Sequence, residues 1–163
     1  MIDYRLILVD SAVLCGVIGA LVGLSFRLGP RIWLRSLPKD IQELAEPMTS
    51  AERRWAAIMG LLIVGSLFSG LVMSTVRFGS GHGFLPAILH AYLVFQAFNL
   101  FDLLVLDWGM MQLIDPTKPP IAGTENARGY RDFGFHAGKS LKGVMLGIPF
   151  SAVAVAVAWL VPS

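Results

Sequence analysis

Apolar residues are gathered into four long runs, at about residues 6–26, 56–76, 84–113 and 143–161. A helix needs on the order of 20 mainly apolar residues to cross the hydrocarbon core of a bilayer, and each run is long enough. We therefore predict an all-α, polytopic membrane protein whose four transmembrane helices form a compact bundle. The prediction treats residues 1–163 as a single membrane domain, with long loops at about residues 27–55 and 114–142.

The beginnings of the first two helices carry local signals. The first run contains Asp10, is longer than the ~7–15 residue core of a signal peptide and shows no clear cleavage site, so we predict a retained helix. Thr49 and Glu52 have the spacing of a capping box, which predicts a helix start just before the second run.

Small residues recur four positions apart within the runs, as in the pair Gly143 and Gly147. Such pairs let two helix backbones approach closely in lipid. Small residues are also simply common in membrane helices, so close packing at any one pair stays a hypothesis. The other pairs are Gly19 with Gly23 and Ser66 with Gly70.

Composition supports the membrane assignment. Hydrophobic residues make up 55% of the chain and charged residues 15%, whereas soluble domains average roughly 45–50% and about 25%. A single soluble core of this length has no room for that excess. The lone Cys15 cannot form an internal disulfide and does not indicate a redox compartment.

The distribution of positive charge predicts an orientation. Eleven of the thirteen Lys and Arg residues lie in the two long loops. The positive-inside rule then places both loops in the cytoplasm and both termini outside, which in bacteria means a multi-pass protein of the cell (inner) membrane. The first loop also mixes apolar and charged residues, which fits either a short helix on the membrane surface or a solvated connector.

The third helix has a polar side. At roughly 100° per residue, Tyr92, Gln96, Asn99 and Asp107 share an arc of roughly 80°, and Asp102 falls about 60° outside it. Polar groups facing lipid would lack partners, so this side is predicted to face the bundle interior or a wet cavity.

Two carboxylates in the apolar stretch FNLFDLLVLDW suggest a functional site. An Asp at mid-helix costs about 2.5–3.5 kcal/mol on insertion scales, and less near the helix ends. The loop that follows is long, contains prolines and aromatics, and brings Glu125 and His136 to the same membrane face. We therefore predict a site formed by Asp102, Asp107, Glu125 and His136.

Two cofactor classes can be weighed from spacing. The segment GFHAGKS has three residues between its glycines where a phosphate loop needs four, and no strand precedes it, so no nucleotide is expected. The three acids and His136 would suit a divalent metal ion, although their spacing matches no standard zinc or calcium motif.

The string from Asn99 to Trp108, with Gly123–Glu125 and His136 after it, resembles a group of small bacterial four-helix membrane proteins. The likeness covers about the last two-fifths of the chain. No activity is established for that group, so the resemblance implies no residue roles. It favours treating the third helix and the second loop as one unit.

Three functions remain open at this point. The first is an intramembrane enzyme in which the four residues perform acid–base catalysis on a lipophilic molecule. The second is a small proton- or ion-coupled transporter, which would need a continuous polar path. The third is an accessory subunit whose acids are all paired with bases. Expected partners are the bilayer, a lipophilic small molecule, and a second copy or another membrane subunit, but no nucleic acid.

Overall fold

A computed structural model describes residues 2–160, apart from the side chain of Ser80. Its described residues are helical and contain no strand. The helices are α1 (Tyr4–Ser25), α2 (Lys39–Leu44), α3 (Ser50–Phe78), α4 (Phe84–Phe101), α5 (Trp108–Leu113) and α6 (Phe133–Ala158). A π-helical segment, Asp102–Asp107, joins α4 to α5 without a break.

Four helical stretches within the described residues are long and apolar enough to cross a membrane, as predicted. They are Tyr4–Leu28, Ser50–Phe78, Phe84–Leu113 and Phe133–Ala158. Three of them, at Tyr4, Ser50 and Phe133, begin earlier than the apolar runs suggested, because a polar residue caps each helix before its apolar part. The predicted end of the last helix, at residue 161, lies outside the described residues.

Side-chain caps fix these beginnings. In α3, the Glu52 backbone N–H donates to Thr49 Oγ1 at 3.2 Å and the Thr49 N–H donates to Glu52 Oε2 at 2.7 Å, which confirms the capping box. In α6, the Phe135 N–H donates to Asp132 Oδ1 at 2.8 Å. His136 therefore lies on the first turn of α6, and its prediction as a loop residue was wrong.

The bundle core is apolar in its middle. α3 and α4 each pack against both α1 and α6, and the most extensive interface joins α4 to α6. The central cluster of buried side chains comes from all four long helices; it contains Ile7, Leu14, Ile18, Leu67, Leu71, Val94, Phe95, Phe98 and Ala154.

The two long loops fold together at one end of the bundle. We call residues 26–49 and 114–132 the cap. The first segment forms short 3₁₀ helices, Phe26–Leu28 and Pro30–Ser36, followed by α2. The cap has its own apolar core, which contains Leu34, Ile41, Ala45, Met48, Ile121, Ala127 and Tyr130.

One close approach ties the two cap segments together. The Gly129 backbone N–H donates to Asp40 Oδ2 at 2.7 Å, and a Cβ on Gly129 would collide with Asp40, Pro38 and Ile41. Only glycine fits there without a shift. The first long loop therefore packs against the second loop and is not a solvated connector.

Candidate functional site

The π-helical segment sets the relative position of the two carboxylates. The Trp108 N–H donates to the Leu103 carbonyl, five residues earlier, instead of four as in an α-helix. Residues five apart therefore lie one turn above each other, which aligns Asp102 with Asp107. The helical wheel still holds for Asp102, whose N–H bonds the Phe98 carbonyl four residues earlier, but it fails for Asp107, which it placed in the polar arc.

Asp107 meets His136 across the helix interface. His136 Nδ1 lies 2.7 Å from Asp107 Oδ2, and the exposed fractions of the side chains are 5% and 23%. The carboxylate lies off the ideal N–H direction, so the contact is mainly electrostatic. Trp108 Nε1 donates to the Phe133 carbonyl at 3.3 Å next to this pair and fastens α5 to the start of α6.

These groups line a cavity of about 730 Å³ between the bundle and the cap. Ligand pockets are typically about 300–1,000 Å³ in volume and mostly apolar, and this cavity fits both criteria. Its ionisable lining groups within the helices are Asp102, Asp107, His136 and Lys139. Much of the remaining lining is apolar: Ile18, Val22, Ile41, Ile63, Val64, Leu67, Phe98, Leu106, Met110, Met111 and Ile121.

Asp102 faces the cavity without a partner. No hydrogen bond or ion pair to its carboxylate is present among residues 2–160. A carboxylate surrounded by apolar side chains is costly to keep unless it contacts a ligand or water. Contacts within the protein therefore do not account for the presence of an acid at position 102.

Glu125 does not join the other three predicted residues. Its side chain is exposed, and Oε1 accepts a hydrogen bond from the Gly123 N–H at 3.1 Å within the same turn. It is absent from the cavity lining. The structure thus brings together Asp102, Asp107 and His136 and leaves Glu125 on the outside of the cap.

The predicted metal ligands do not form a set. Within the described part of the chain, no three His, Cys, Asp or Glu side chains come close enough to hold one ion. The residues present therefore do not fit the divalent site that the sequence left open.

The upper part of the polar stripe packs against α6. Asn99 Nδ2 donates to the Ser140 carbonyl at 3.1 Å, and the Tyr92 hydroxyl donates to the Val144 carbonyl at 3.2 Å. These side chains face the bundle interior, as predicted, but they satisfy helix contacts and do not line the cavity.

A second polar cluster, missed from the sequence, lies at the end opposite the cap. Asp10 is buried in α1 and forms an ion pair with Arg77 at the end of α3. One turn below, Ser74 Oγ lies 2.8 Å from His90 Nε2, and Phe78 stacks on the His90 ring. Asp10, an acid in an apolar run, and Arg77, a lone base in a short loop, were the available signals. The central apolar cluster separates these groups from the cavity.

Comparison of the chain with protein-family models, with curated proteins and with solved structures found no match.

Proposed function

We propose that this chain is an integral membrane enzyme that performs acid–base chemistry on a lipophilic molecule held in the cavity. Four apolar helices support the membrane location. The Asp107–His136 pair within a largely apolar cavity is the observation that carries the enzymatic part. The concentration of Lys and Arg in the cap supports a cavity on the cytoplasmic side of the cell (inner) membrane.

The pair has the parts of a general base. Asp107 occupies Nδ1 of His136, so Nε2 is the ring atom available to a ligand in the cavity. A hydroxyl group, on the ligand or on water, would give its proton to Nε2, and Asp107 would stabilise the imidazolium that forms. Asp102, as a second carboxylate in the same cavity, would accept or return a proton at another atom of the ligand.

The two other functions have less support. A coupled transporter needs a polar path between the two ends, and the central apolar cluster lies between Asp102 and His90. An accessory subunit should have its acids paired, yet no partner of Asp102 is found among the described side chains.

The test is turnover of a membrane lipid by the purified protein. The wild type is incubated with a lipid extract of the expression host in ²H₂O and, separately, in H₂¹⁸O, and all lipid masses are compared before and after. We expect at least one species to be converted or labelled. Asp107→Asn and His136→Gln should each lower that rate by about 10²-fold or more, and the double variant should be little worse than either.

Glu43→Gln is the matched control, because Glu43 is an exposed acid on α2 outside the cavity lining. It should keep the wild-type rate. Turnover that survives in His136→Gln, or the absence of any converted or labelled lipid with the wild type, would contradict the proposal.

A further inference from the structure

The polar groups that face the cavity from the helices can be sorted by what they offer a ligand. The carboxyl groups of Asp102 and Asp107 each present oxygen atoms to the cavity that can accept hydrogen bonds. His136 adds a third group whose role depends on which ring nitrogen carries the proton.

The Asp107 contact decides the tautomer of His136. Nδ1 lies 2.7 Å from Oδ2, and although the carboxylate is off the N–H axis, it attracts a proton on Nδ1 and repels a lone pair there. The proton of the neutral ring therefore belongs on Nδ1, and Nε2 is left as an acceptor. Asp102, Asp107 and Nε2 of His136 thus offer hydrogen-bond acceptors to a ligand, and Lys139 in the same lining adds a donor.

Two lysines, Lys139 and Lys118, belong to the cavity lining. Lys139 Nζ donates to the Ser36 carbonyl at 3.4 Å and lies 5.6 Å from the centroid of the Phe135 ring. Lys118 is exposed, and its backbone N–H donates to the backbone carbonyl of Asp115 at 3.0 Å. No arginine is found in the lining formed by the described residues.

The apolar part of the cavity suits a hydrocarbon chain. Ile18 and Leu67 are buried lining residues from the bundle core, whereas Val64 lines the cavity and is also 53% exposed on the outer face of α3. A lining residue exposed on the lipid-facing surface marks a side opening, through which a chain can enter from the bilayer.

We propose that the ligand is a long-chain lipid with an uncharged or cationic head group that donates hydrogen bonds, a hydroxyl or an amine, and carries no phosphate or carboxylate. This inference rests on the proposed function in taking the ligand to be the substrate. The head group lies against Asp102, Asp107 and His136, and the chain runs toward Ile18 and Leu67. An anionic head group would meet two carboxylates in a medium that screens charge poorly.

The test uses four radiolabelled probes with the same chain: hexadecanol, hexadecylamine, palmitate and hexadecyl phosphate. Equilibrium binding to the detergent-solubilised protein is measured near neutral pH. We expect the alcohol or the amine to bind at least about ten-fold more tightly than either anion. Asp102→Asn with Asp107→Asn should shrink that preference, because it removes the repulsion of the anions.

Val64→Trp tests the site of the hydrocarbon chain. The larger side chain at this half-exposed position should fill the opening and weaken the binding of all four probes by a similar factor. Glu43→Gln, an exposed position outside the cavity lining, should leave the affinities of all four probes unchanged. Tighter binding of an anion, or equal binding of all four, would overturn the inference.

The two proposals fail in different ways. Binding of the alcohol without turnover of any lipid would support the proposed ligand class and contradict the proposed enzymatic function. Turnover of a phosphate-bearing lipid would support the enzymatic function and contradict the proposed ligand class.

Discussion

Gly143 and Gly147 on α6 each make room for a polar side chain of α4. A Cβ on Gly143 would lie 2.6 Å from Asn99 Oδ1, and one on Gly147 would lie 2.7 Å from both Gln96 Nε2 and Phe95 Cδ1. The sequence marked this pair by its four-residue spacing. The close approach allows Asn99 to reach the Ser140 carbonyl.

Gly147→Ala should therefore destabilise the bundle by about 1–3 kcal/mol, the usual effect of an added methyl group in a tightly packed interior. The measurement is the thermal unfolding midpoint of the protein in detergent. Gly138→Ala on the same helix is the control, since its Cβ would meet nothing within 4 Å. That variant should be neutral or gain up to about 1 kcal/mol. Equal midpoints for the two variants would contradict the packing argument.

The element that most shapes the candidate site is the π-helical segment, Asp102–Asp107. Its turn holds one residue more than an α-helical turn, and this keeps Asp107 above Asp102 although the two are five positions apart. In an unbroken α-helix the same sequence would carry Asp107 to another side and away from His136.

Deleting Leu104, an exposed residue of this segment, should convert the π turn into an α turn. The two acids would then be four positions apart and still on one face, so hexadecanol binding should stay within about three-fold of wild type. Deleting the exposed Leu100 in α4 is the contrasting change. This deletion rotates the part of α4 that precedes residue 100 relative to Asp102 and Asp107, and it should abolish hexadecanol binding. Loss of binding in a folded Leu104 deletion would show that the π turn does more than align the acids.

The four long helices could be predicted because an apolar run of about 20 residues is itself the signal of a helix long enough to cross a membrane. Their beginnings were less accessible: Asp132 starts α6 inside the predicted loop because its cap is a local bond that hydropathy does not register. The grouping of Asp102, Asp107 and His136 was expected from their shared membrane face. Glu125 shared that face in sequence but turned outward within its own loop.

The π segment and the cap could not be derived from local pattern. A π turn depends on how its neighbours pack, and nothing in DLLVLD alone favours it over an α-helix. The cap depends on Gly129 meeting Asp40, two residues that are distant in the sequence. Such pairings are settled only when the whole chain is folded.

The whole molecule has two unlike ends. One is the cap, which contains most of the positive charge. The other holds the first turn of α1 and the last turn of α6, and there Phe84 packs edge-to-face on Trp159. This asymmetry is the basis for predicting which end faces the cytoplasm.

Cysteine labelling tests that orientation. In a Cys15→Ser background, which removes the single cysteine, Glu43→Cys marks the cap and His82→Cys marks the loop at the other end. A membrane-impermeant maleimide added to intact spheroplasts should label His82→Cys only, and Glu43→Cys should react after permeabilisation. The opposite pattern would place the cavity on the outer side.

In a membrane, the apolar cluster in the middle of the bundle, around Leu71 and Val94, would also act as an electrical insulator. In the proposed orientation the ionisable groups at the two ends would exchange protons with different compartments, and moving a charge between them would require crossing a layer that offers it no partner. We therefore expect the bundle to add no leak for protons or ions. A membrane could then hold many copies and keep its electrochemical gradient.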